Sequence, residues 1–277
     1  MILCADSGST KTQWLTQTKQ LIETIGFNPQ FHTTESIHAA LQESNDLLQI
    51  CAQVTKVFFY GAGCSSQSRN AIVANALRTF FPSAEIVIDH DLKAAAYATF
   101  NNEPCISCII GTGSNSCYFD GKTITENVPA LGYVLGDEGS GSWFGKELLK
   151  QYLYHLLPPK TTRLLQEKYG VEKETVFQRV YREPHANVYL ASFAKALSES
   201  EDKAYISELV KQGFSQFFKY HVACYPNYQQ VPIHFVGSLA FHFKNELQEV
   251  ANTFNAQLGT VDKAPVYQLL HYHLKNG

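Results

Sequence analysis

Two similar segments lie about 105 residues apart in the sequence, and this repetition limits the possible folds more than any other feature. In each segment, short β-prone runs are joined by a polar turn that contains glycine: Gly8-Ser9-Thr10 in the first and Gly113-Ser114-Asn115 in the second. At nearly the same shift, Ile25-Gly26 matches Leu131-Gly132. Two glycine turns alone can agree by chance, but agreement within the same order of strands is harder to obtain. We therefore predict an internal duplication.

The spacing of apolar residues predicts how each segment continues, because alternation indicates strands and a period near 3.6 indicates helices. The first half has three strands within 2–25, helices at 37–51, 68–81 and 92–100, and further strands at 54–60 and 85–88. The second half has strands at 104–110, 115–119, 122–126, 232–236 and 257–261, and helices at 240–254 and after 265.

The predicted fold is therefore α/β, with two lobes that share a duplicated βββαβαβα plan, each a mixed sheet covered by helices. We expect an N-terminal lobe at 1–102 and a C-terminal lobe at 103–277, with a helical insertion at about 139–224 in the second. The last helix, 265–277, could instead pack back on the first lobe.

Composition argues against several classes of protein. The net charge is -3 over 277 residues, whereas a nucleic-acid-binding protein normally carries a basic face. No apolar run approaches the roughly 18 residues that a membrane-spanning helix needs, and the start becomes acidic too early for a signal peptide. The seven cysteines are odd in number and scattered, so we interpret them as reduced and structural. These features predict a cytoplasmic protein without nucleic-acid or membrane partners.

The first glycine turn, at residues 6–12, has the composition of a phosphate-binding loop. Glycine lets backbone N–H groups close on an anion, and neighbouring hydroxyl groups add donors. Asp6, at the end of a predicted strand, could hold Mg²⁺, usually through water. The chain has no GxxxxGK[ST] motif, so this is not a Walker A loop. An ordinary hairpin is the alternative, but the similar turn at 110–115 favours a pair of turns that clamp a polyphosphate from both sides.

Asp91 follows a predicted strand and opens a predicted helix. A carboxylate at such a position can simply cap the helix, or it can act as a general base toward a bound hydroxyl group. Phosphoryl transfer needs one group that orients and deprotonates the nucleophile. The helix cap is the more common role of such a residue, and both roles stay open at this point.

Residues 132–143 place two adjacent carboxylates, Asp137 and Glu138, among four glycines, which is poor material for a core element. Such carboxylates can accept hydrogen bonds from several hydroxyl groups of a polyol; a flexible acidic loop is the alternative. A later strand, turn and helix at 235–240 carries Gly237 and Ser238, and this kind of turn can admit the flat face of a base.

These five segments, in this order, resemble the actin-like ATPase and sugar kinase superfamily, most closely the N-acetylglucosamine kinase branch of the BadF/BadG/BcrA/BcrD ATPase family. The matching motifs are D-x-G-x-T-K-T at 6–12, an Asp before an Ala-rich helix at 91–96, G-T-G-S-N at 111–115, G-x-x-x-G-D-E-G-S at 132–140 and V-G-S at 236–238. The resemblance spans nearly the whole chain and implies two actin-like (ribonuclease H-like) lobes. It also implies an ATP- and Mg²⁺-dependent kinase acting on a hydroxyl group of a small sugar, such as the 6-hydroxyl of N-acetylglucosamine.

The resemblance implies roles for individual residues. Asp91 is the implied catalytic base and also contacts the sugar, and Asp6 is the implied Mg²⁺ ligand, through water. The implied ATP-binding residues are Ser9, Thr10, Lys11, Thr112, Gly113, Gly237 and Ser238. The implied sugar-binding residues, besides Asp91, are Asn28, Ser114, Asn115, Gly132 and Asp137.

Two alternatives stay open at this point. An ATPase that activates a 2-hydroxyacyl-CoA dehydratase would need an iron–sulfur cluster, but Cys105 and Cys108 lie three apart in a predicted strand and would point to opposite faces. A non-catalytic nucleotide or sugar sensor would keep the fold, although Asp6, Asp91 and Asp137 are all present. The sequence leaves open which sugar is phosphorylated and whether the protein forms a homodimer.

Overall fold

The computed structural model describes residues 1–276, and the chain forms two compact units. One unit comprises Met1–Asn101 together with the C-terminal segment from Ala264, and the other comprises Asn102–Lys263. The elements of the first 101 residues are β1 Ile2–Ser7, β2 Lys11–Thr16, β3 Leu21–Ile25, α1 Thr34–Gln42, α2 Asn45–Ile50, β4 Lys56–Gly61, α3 Gln67–Phe80, β5 Glu85–His90 and α4 Asp91–Thr99.

The second unit contains five more strands and most of the helices. Its elements are β6 Cys105–Ile110, β7 Ser114–Phe119, β8 Ile124–Thr125, α5 Gly132–Leu135, α6 Gly141–Leu153, α7 Pro159–Glu167, α8 Lys173–Tyr181, α9 Ala186–Ser192, α10 Lys195–Glu199, α11 Lys203–Phe217, β9 Ile233–Val236, α12 Ser238–His242, α13 Lys244–Thr253 and β10 Leu258–Asp262. A π-helical turn, Phe218–Val222, follows α11, and the C-terminal helix α14, Val266–Asn276, belongs to the first unit.

The two sheets have the same topology, which confirms the predicted duplication. The first has the strand order β3-β2-β1-β4-β5 and the second β8-β7-β6-β9-β10. In both sheets the first three strands in the sequence pair antiparallel with one another. The fourth strand pairs in parallel with the first, and the fifth pairs in parallel with the fourth. The loops that follow the parallel strands therefore emerge at one edge of each sheet, where open α/β sheets carry their ligand-binding residues.

The sheet of the first unit is buried on both faces. Along β4, Val57 and Phe59 pack into one apolar cluster, together with α1 and α3, and Phe58 and Tyr60 pack into another, together with α4 and α14. This alternation follows from the period of two in a strand, and it explains the nearly continuous apolar sequence of β4. Trp14 lies at the centre of the first cluster, with its ring centroid 5.8 Å from that of Phe59.

The second unit has one large core that joins its sheet to the helices. Ile106, Cys108 and Ile110 contribute from β6, and aromatic residues such as Phe144 and Phe214 contribute from the helices. The helices of the insertion predicted at about 139–224 therefore bury their apolar faces in this core, as expected of amphipathic helices.

Some predicted elements differ from the structure in extent. The strand expected at 122–126 is reduced to Ile124–Thr125, and a short helix, Gly132–Leu135, lies inside the segment expected to be a loop. The helix expected at 37–51 is divided near Ser44, whose hydroxyl accepts the Leu47 N–H and begins a new helix. The helix expected at 240–254 is divided at Phe243 because the backbone of this residue leaves the helical region.

The helix α14 contributes a histidine to the first unit's core. The ring of His273 is stacked on Phe58 at 3.7 Å between centroids, and its Nε2 lies 2.9 Å from the Tyr60 hydroxyl. Burial, helped by the nearby Lys56 ammonium group, lowers the pKa of His273 from 6.5 to about 4. The imidazole is therefore neutral in the folded protein at neutral pH, and one hydrogen bond joins its Nε2 to the Tyr60 hydroxyl.

We expect the free energy of unfolding to fall as the pH is lowered from about 6.5 to about 4, because the unfolded chain then binds a proton at His273 that the folded protein excludes. Urea unfolding at several pH values would measure this slope. In His273→Gln the slope should be smaller, whereas His271→Gln, on an exposed side chain of the same helix, serves as the matched control. Identical slopes in the wild type and His273→Gln would contradict the prediction.

Candidate active site

The first glycine turn joins β1 to β2 and is fastened by hydroxyl groups. Gly8 N–H donates to Lys11 O at 3.0 Å, and the Ser7 and Thr12 hydroxyls lie 2.7 Å apart. The Ser7 hydroxyl also accepts the Phe27 N–H, so the turn is tied to the chain that follows β3. A Cβ at Gly8 would meet no atom closer than 3.8 Å, so the surface of the turn is open to a ligand.

Asn28, predicted to hold the sugar, lies beside this turn. Its side-chain Nδ2 donates to Ser9 Oγ at 3.3 Å, and its Oδ1 accepts the Gln30 N–H at 2.9 Å. Gly26 makes the approach possible, because a Cβ there would lie 2.2 Å from Gly8 O. The structure therefore brings together Asn28 and Ser9, which the sequence separates by 19 residues.

Two carboxylates, Asp6 and Asp91, lie at the same edge of the first sheet. Asp6 pairs in register with Tyr60 and Tyr60 with Asp89, so β1 and β5 are two strand spacings, about 10 Å, apart. Burial and the negative charge of Asp91 raise the pKa of Asp6 to about 7, although Lys11 opposes the shift. Burial also raises the pKa of Asp91, against the charge of His90.

The sequence left two roles open for Asp91, and the structure gives the first of them to a neighbour. The N-cap of α4 is His90, whose Nδ1 accepts the Leu92 N–H at 3.2 Å. As the first residue of α4, Asp91 also accepts this N–H at Oδ1 at 2.9 Å, and the same oxygen lies 3.1 Å from His90 Nδ1. These contacts fix the orientation of the carboxyl group, and its second oxygen can still accept a proton, as the predicted general base requires.

The two carboxylates fit a magnesium ion, because a divalent cation would stabilise the charged form of Asp6, which burial and the negative charge of Asp91 disfavour. Mg²⁺ commonly binds one or two carboxylates supplemented by water and phosphate oxygens. Within the part of the chain that the structure describes, no group of three or more His, Cys, Asp or Glu side chains is arranged to hold a metal. Lys11, expected at ATP, forms an exposed ion pair with Glu23 at 2.8 Å.

The second glycine turn, between β6 and β7, is joined to the N-terminus of α6. Gly111 O accepts the Gly141 N–H at 2.8 Å, and Thr112 O accepts the Ser142 N–H at 3.0 Å. A Cβ at Gly111 would meet no atom closer than 3.9 Å, so this turn also has an open surface. The sequence predicted the turn but not its connection to α6, because the two segments are separated by about 30 residues.

The segment 132–143, called the acidic segment below, lies beside this turn and places Asp137 against it. Asp137 is 9% exposed, accepts the Ser114 N–H at 3.3 Å, and lies close to Gly113. Burial raises the pKa of Asp137, and the hydrogen bond from Ser114 and the charge of Lys146 oppose this shift. The backbone of Asp137 is left-handed, with φ of +58°, a conformation that costs a non-glycine residue free energy and is enriched at functional sites.

The other residues expected at the sugar are placed differently. Asn115 Nδ2 donates to Glu126 Oε2 at 3.3 Å. Gly132 begins α5 with φ of +72° and would meet nothing within 4 Å if it carried a Cβ. The side chain of Asn115 thus has a solvent-exposed partner just after β8, and Gly132 adjoins open space.

Three residues near Asp137 were not assigned a function from the sequence: Glu138, Lys146 and His221. Lys146, on α6, donates to Tyr133 O, and burial lowers its pKa against the charges of Asp137 and Glu138. His221 lies in the π-helical turn and pairs with Glu138. Glu138 belongs to the motif at 132–140 that also contains Asp137. No sequence pattern indicated that Lys146 or His221 would lie near these two carboxyl groups.

Gly237 connects β9 to α12 in a conformation that requires glycine. Its φ is +132°, its N–H donates to Asp262 O at 2.9 Å, and a Cβ would lie 2.0 Å from Ile110 O. Ser238, the next residue, begins α12. The turn therefore brings the end of β9 directly against the end of β6.

We expect Gly237→Ala to lower the free energy of unfolding by about 3 kcal/mol or more, because it combines a strained φ with a clash against backbone. Gly170→Ala is the matched control, since Gly170 has φ of +57° but open space around it. Strain alone should cost that variant about 1–2 kcal/mol. Urea unfolding of both variants gives the comparison, and equal losses would show that the contact with Ile110 is unimportant.

The cysteines considered for a cluster are fully buried. Cys105 and Cys108 both have 0% exposure, and burial raises the pKa of each thiol. No helix among residues 1–276 is both long and apolar enough to cross a membrane.

No protein-family model matches the sequence, and no curated protein matches it. Solved structures do match. A candidate N-acetylglucosamine kinase from Porphyromonas gingivalis is 36% identical with a TM-score of 0.91, and the match covers 100% of this chain and 99% of that one.

More distant structures share the architecture. A candidate N-acetylglucosamine kinase from Chromobacterium violaceum matches over 98% of both chains, with a TM-score of 0.70 and 15% identity. A ROK family glucokinase from Streptomyces griseus, in complex with glucose and AMPPNP, has a TM-score of 0.54 at 12% identity, over 99% of this chain and 100% of that one. These two show a common fold, and the Porphyromonas gingivalis protein is similar along its whole length at a much higher identity.

Proposed function

Because this chain belongs to the N-acetylglucosamine kinase-like branch of the actin-like sugar kinases, we propose that it phosphorylates an amino sugar at the expense of ATP. The acceptor is the 6-hydroxyl of a sugar such as N-acetylglucosamine. The observation that carries the proposal is Asp91, a carboxylate held at a strand end, whose pKa is raised by burial. A carboxylate with a raised pKa is a stronger base toward the proton of a bound hydroxyl group.

In the proposed reaction, Asp91 accepts the proton of the sugar hydroxyl as that oxygen attacks the γ-phosphorus. Asn28, Ser114, Asn115, Gly132 and Asp137 contact the sugar. Asp137 supports this assignment best, because it is a buried carboxyl group that accepts a 3.3 Å hydrogen bond from the Ser114 N–H and can accept others from hydroxyl groups. Positioning of this kind supplies a large part of the rate in phosphoryl transfer.

The two glycine turns and the β9–α12 turn are the proposed ATP contacts. Their open surfaces at Gly8 and Gly111 support this assignment, since phosphate oxygens need close approach to backbone N–H groups. The residues are Ser9, Thr10 and Lys11 in the first turn, Thr112 and Gly113 in the second, and Gly237 and Ser238 in the third. Asp6 would hold Mg²⁺ through water, and the ion would neutralise charge on the phosphates.

An ADP-coupled assay with a panel of sugars tests the proposal. The panel contains glucose, glucosamine, N-acetylglucosamine, N-acetylmannosamine and N-acetylmuramate, and we expect the highest kcat/KM with an N-acetylated amino sugar. Phosphorus NMR of the product would identify the phosphorylated hydroxyl. ADP release that no sugar stimulates would contradict the kinase, and a preference for glucose would contradict the amino-sugar assignment.

A further inference from the structure

Glu138 follows the proposed sugar ligand Asp137 but turns toward another part of the second unit. Its Oε2 lies 3.2 Å from Nε2 of His221, which is 83 residues away in the sequence. The side chains are only 16% and 6% exposed, respectively. A buried pair of this kind is held by specific geometry, because either group would be costly to bury without its partner.

Strand β7 holds both members of the pair by their backbones. Ser114 Oγ donates to Glu138 O at 2.8 Å, and Ser116 Oγ donates to His221 O at 2.5 Å. Two residues apart in a strand, these serines project to the same face of the sheet. Strand β7 therefore fixes the distance between the acidic segment and the π-helical turn that contains His221.

The backbone around His221 departs from a regular helix. His221 lies in the π-helical turn Phe218–Val222 that follows α11, and its ring is stacked on Phe217 with 5.1 Å between centroids. Single π-helical turns inside helices are frequently found at functional sites. Its Nδ1 is buried without a hydrogen-bond partner among the described residues, so Glu138 is the group that orients the ring.

The acidic segment also rests directly on α11. A Cβ at Gly139 would lie 3.0 Å from Gly213 O, which leaves the backbone of the segment in contact with the helix that leads into the His221 turn. Asp137 has a left-handed backbone conformation, and the two residues that follow it, Glu138 and Gly139, are held by His221 and Gly213. These contacts therefore help to place Asp137. The adjacent carboxyl groups have separate tasks: Glu138 faces the protein, and Asp137 lies against the glycine turn.

We propose that His221 is a positioning residue for the sugar site: by holding Glu138, it fixes the acidic segment so that Asp137 can accept hydrogen bonds from sugar hydroxyl groups. This inference rests on the proposed amino-sugar kinase. His221 itself need not touch the sugar, and its effect reaches the substrate through Glu138 and the backbone that joins it to Asp137.

The test compares sugar and nucleotide binding in variants of the full chain. We expect His221→Leu to raise the Kd and KM for the sugar by about 10–100-fold, the range of one charge-assisted hydrogen bond, with Kd for ATP nearly unchanged. His221→Gln keeps an N–H donor and should recover most of the sugar affinity. A double-mutant cycle with Glu138→Gln should be non-additive, because His221→Leu removes the interaction that Glu138→Gln weakens.

His234→Leu is the matched control for loss of a buried histidine. His234 is 4% exposed, lies in the same unit, and accepts the Thr260 N–H at Nδ1 without contacting the acidic segment. If both leucine variants lose stability but only His221→Leu loses sugar affinity, the positioning role is supported. Should His221→Leu fail to fold, Glu138→Gln weakens the same pair with a smaller change and should raise the sugar Kd in the same direction.

The outcomes separate the inference from the function on which it rests. If the wild type phosphorylates an amino sugar but His221→Leu, His221→Gln and Glu138→Gln all bind it as the wild type does, the positioning role is wrong and the kinase stands. Equal losses of sugar and ATP affinity would also overturn it, because they indicate a general structural defect. A wild type that binds no amino sugar would overturn both.

Discussion

Asp91→Asn is expected to lower kcat for sugar phosphorylation by about 100–10,000-fold, which is the usual contribution of a general base. Asparagine keeps the shape of the side chain and the hydrogen bond from the Leu92 N–H, but it cannot accept the proton of the sugar hydroxyl. The Kd for ATP should change little. Steady-state kinetics with the preferred sugar, together with calorimetric titration of ATP, would measure both effects.

Asp89→Asn provides the matched control, because Asp89 lies two residues away on the same strand end. Its carboxylate is paired with Lys93 at 2.5 Å and both side chains are one-third exposed, so its loss should cost little in stability or rate. If Asp91→Asn retained more than about a tenth of the wild-type kcat, or if both variants lost activity equally, Asp91 would not be the base.

Asp137→Ala is expected to raise the Kd for the sugar by about 100-fold or more, with Mg-ATP affinity nearly intact. A carboxylate can accept two hydroxyl hydrogen bonds, and each charged hydrogen bond contributes roughly 1.5–3 kcal/mol. A metal ligand would behave differently, because high magnesium would partly restore the activity of the variant. Titration of the variant with sugar and with Mg-ATP separates the two assignments.

Asp120→Ala, in an exposed turn of the same unit, is the control for the loss of one carboxylate. The pH dependence gives a second check. Since burial raises the pKa of Asp137, protonation occurs at a higher pH than for an ordinary aspartate, and sugar affinity should fall as the pH is lowered through that range. The finding that would contradict our assignment is a loss of Mg-ATP affinity with sugar affinity preserved.

The sequence predicted those parts of the fold that local pattern determines. Strand β4 could be recognised because it is buried on both faces and therefore apolar throughout, and the glycine turns could be recognised because their residues repeat. The division of the helix at Ser44 was missed, since a capping hydroxyl competes with helix continuation only by a small free energy.

The tertiary contacts of the acidic segment could not be predicted from the sequence, for a different reason. His221 reaches Glu138 only because β7, α11 and the π-helical turn pack together in one unit. A lone histidine near the end of an amphipathic helix does not indicate such a partner, and most histidines at such positions are ordinary core residues. Asp137 and Glu138 were recognisable as unusual from composition, but their separate tasks depend on tertiary contacts.

The discontinuity of the first unit has a consequence for how the protein is made. Val266, Leu269 and Leu270 of α14 complete an apolar cluster with Cys4, Leu15 and other residues of the first sheet, and Tyr60 contacts His273 across 213 residues of chain. During synthesis on a ribosome, that face of the sheet has α4 but not α14 against it while the entire second unit is made. The second unit is continuous and can fold as soon as it emerges. We therefore infer a fixed order of assembly in which the N-terminal residues are the first to be translated and among the last to reach their final packing, a period in which chaperones would have an apolar surface to bind.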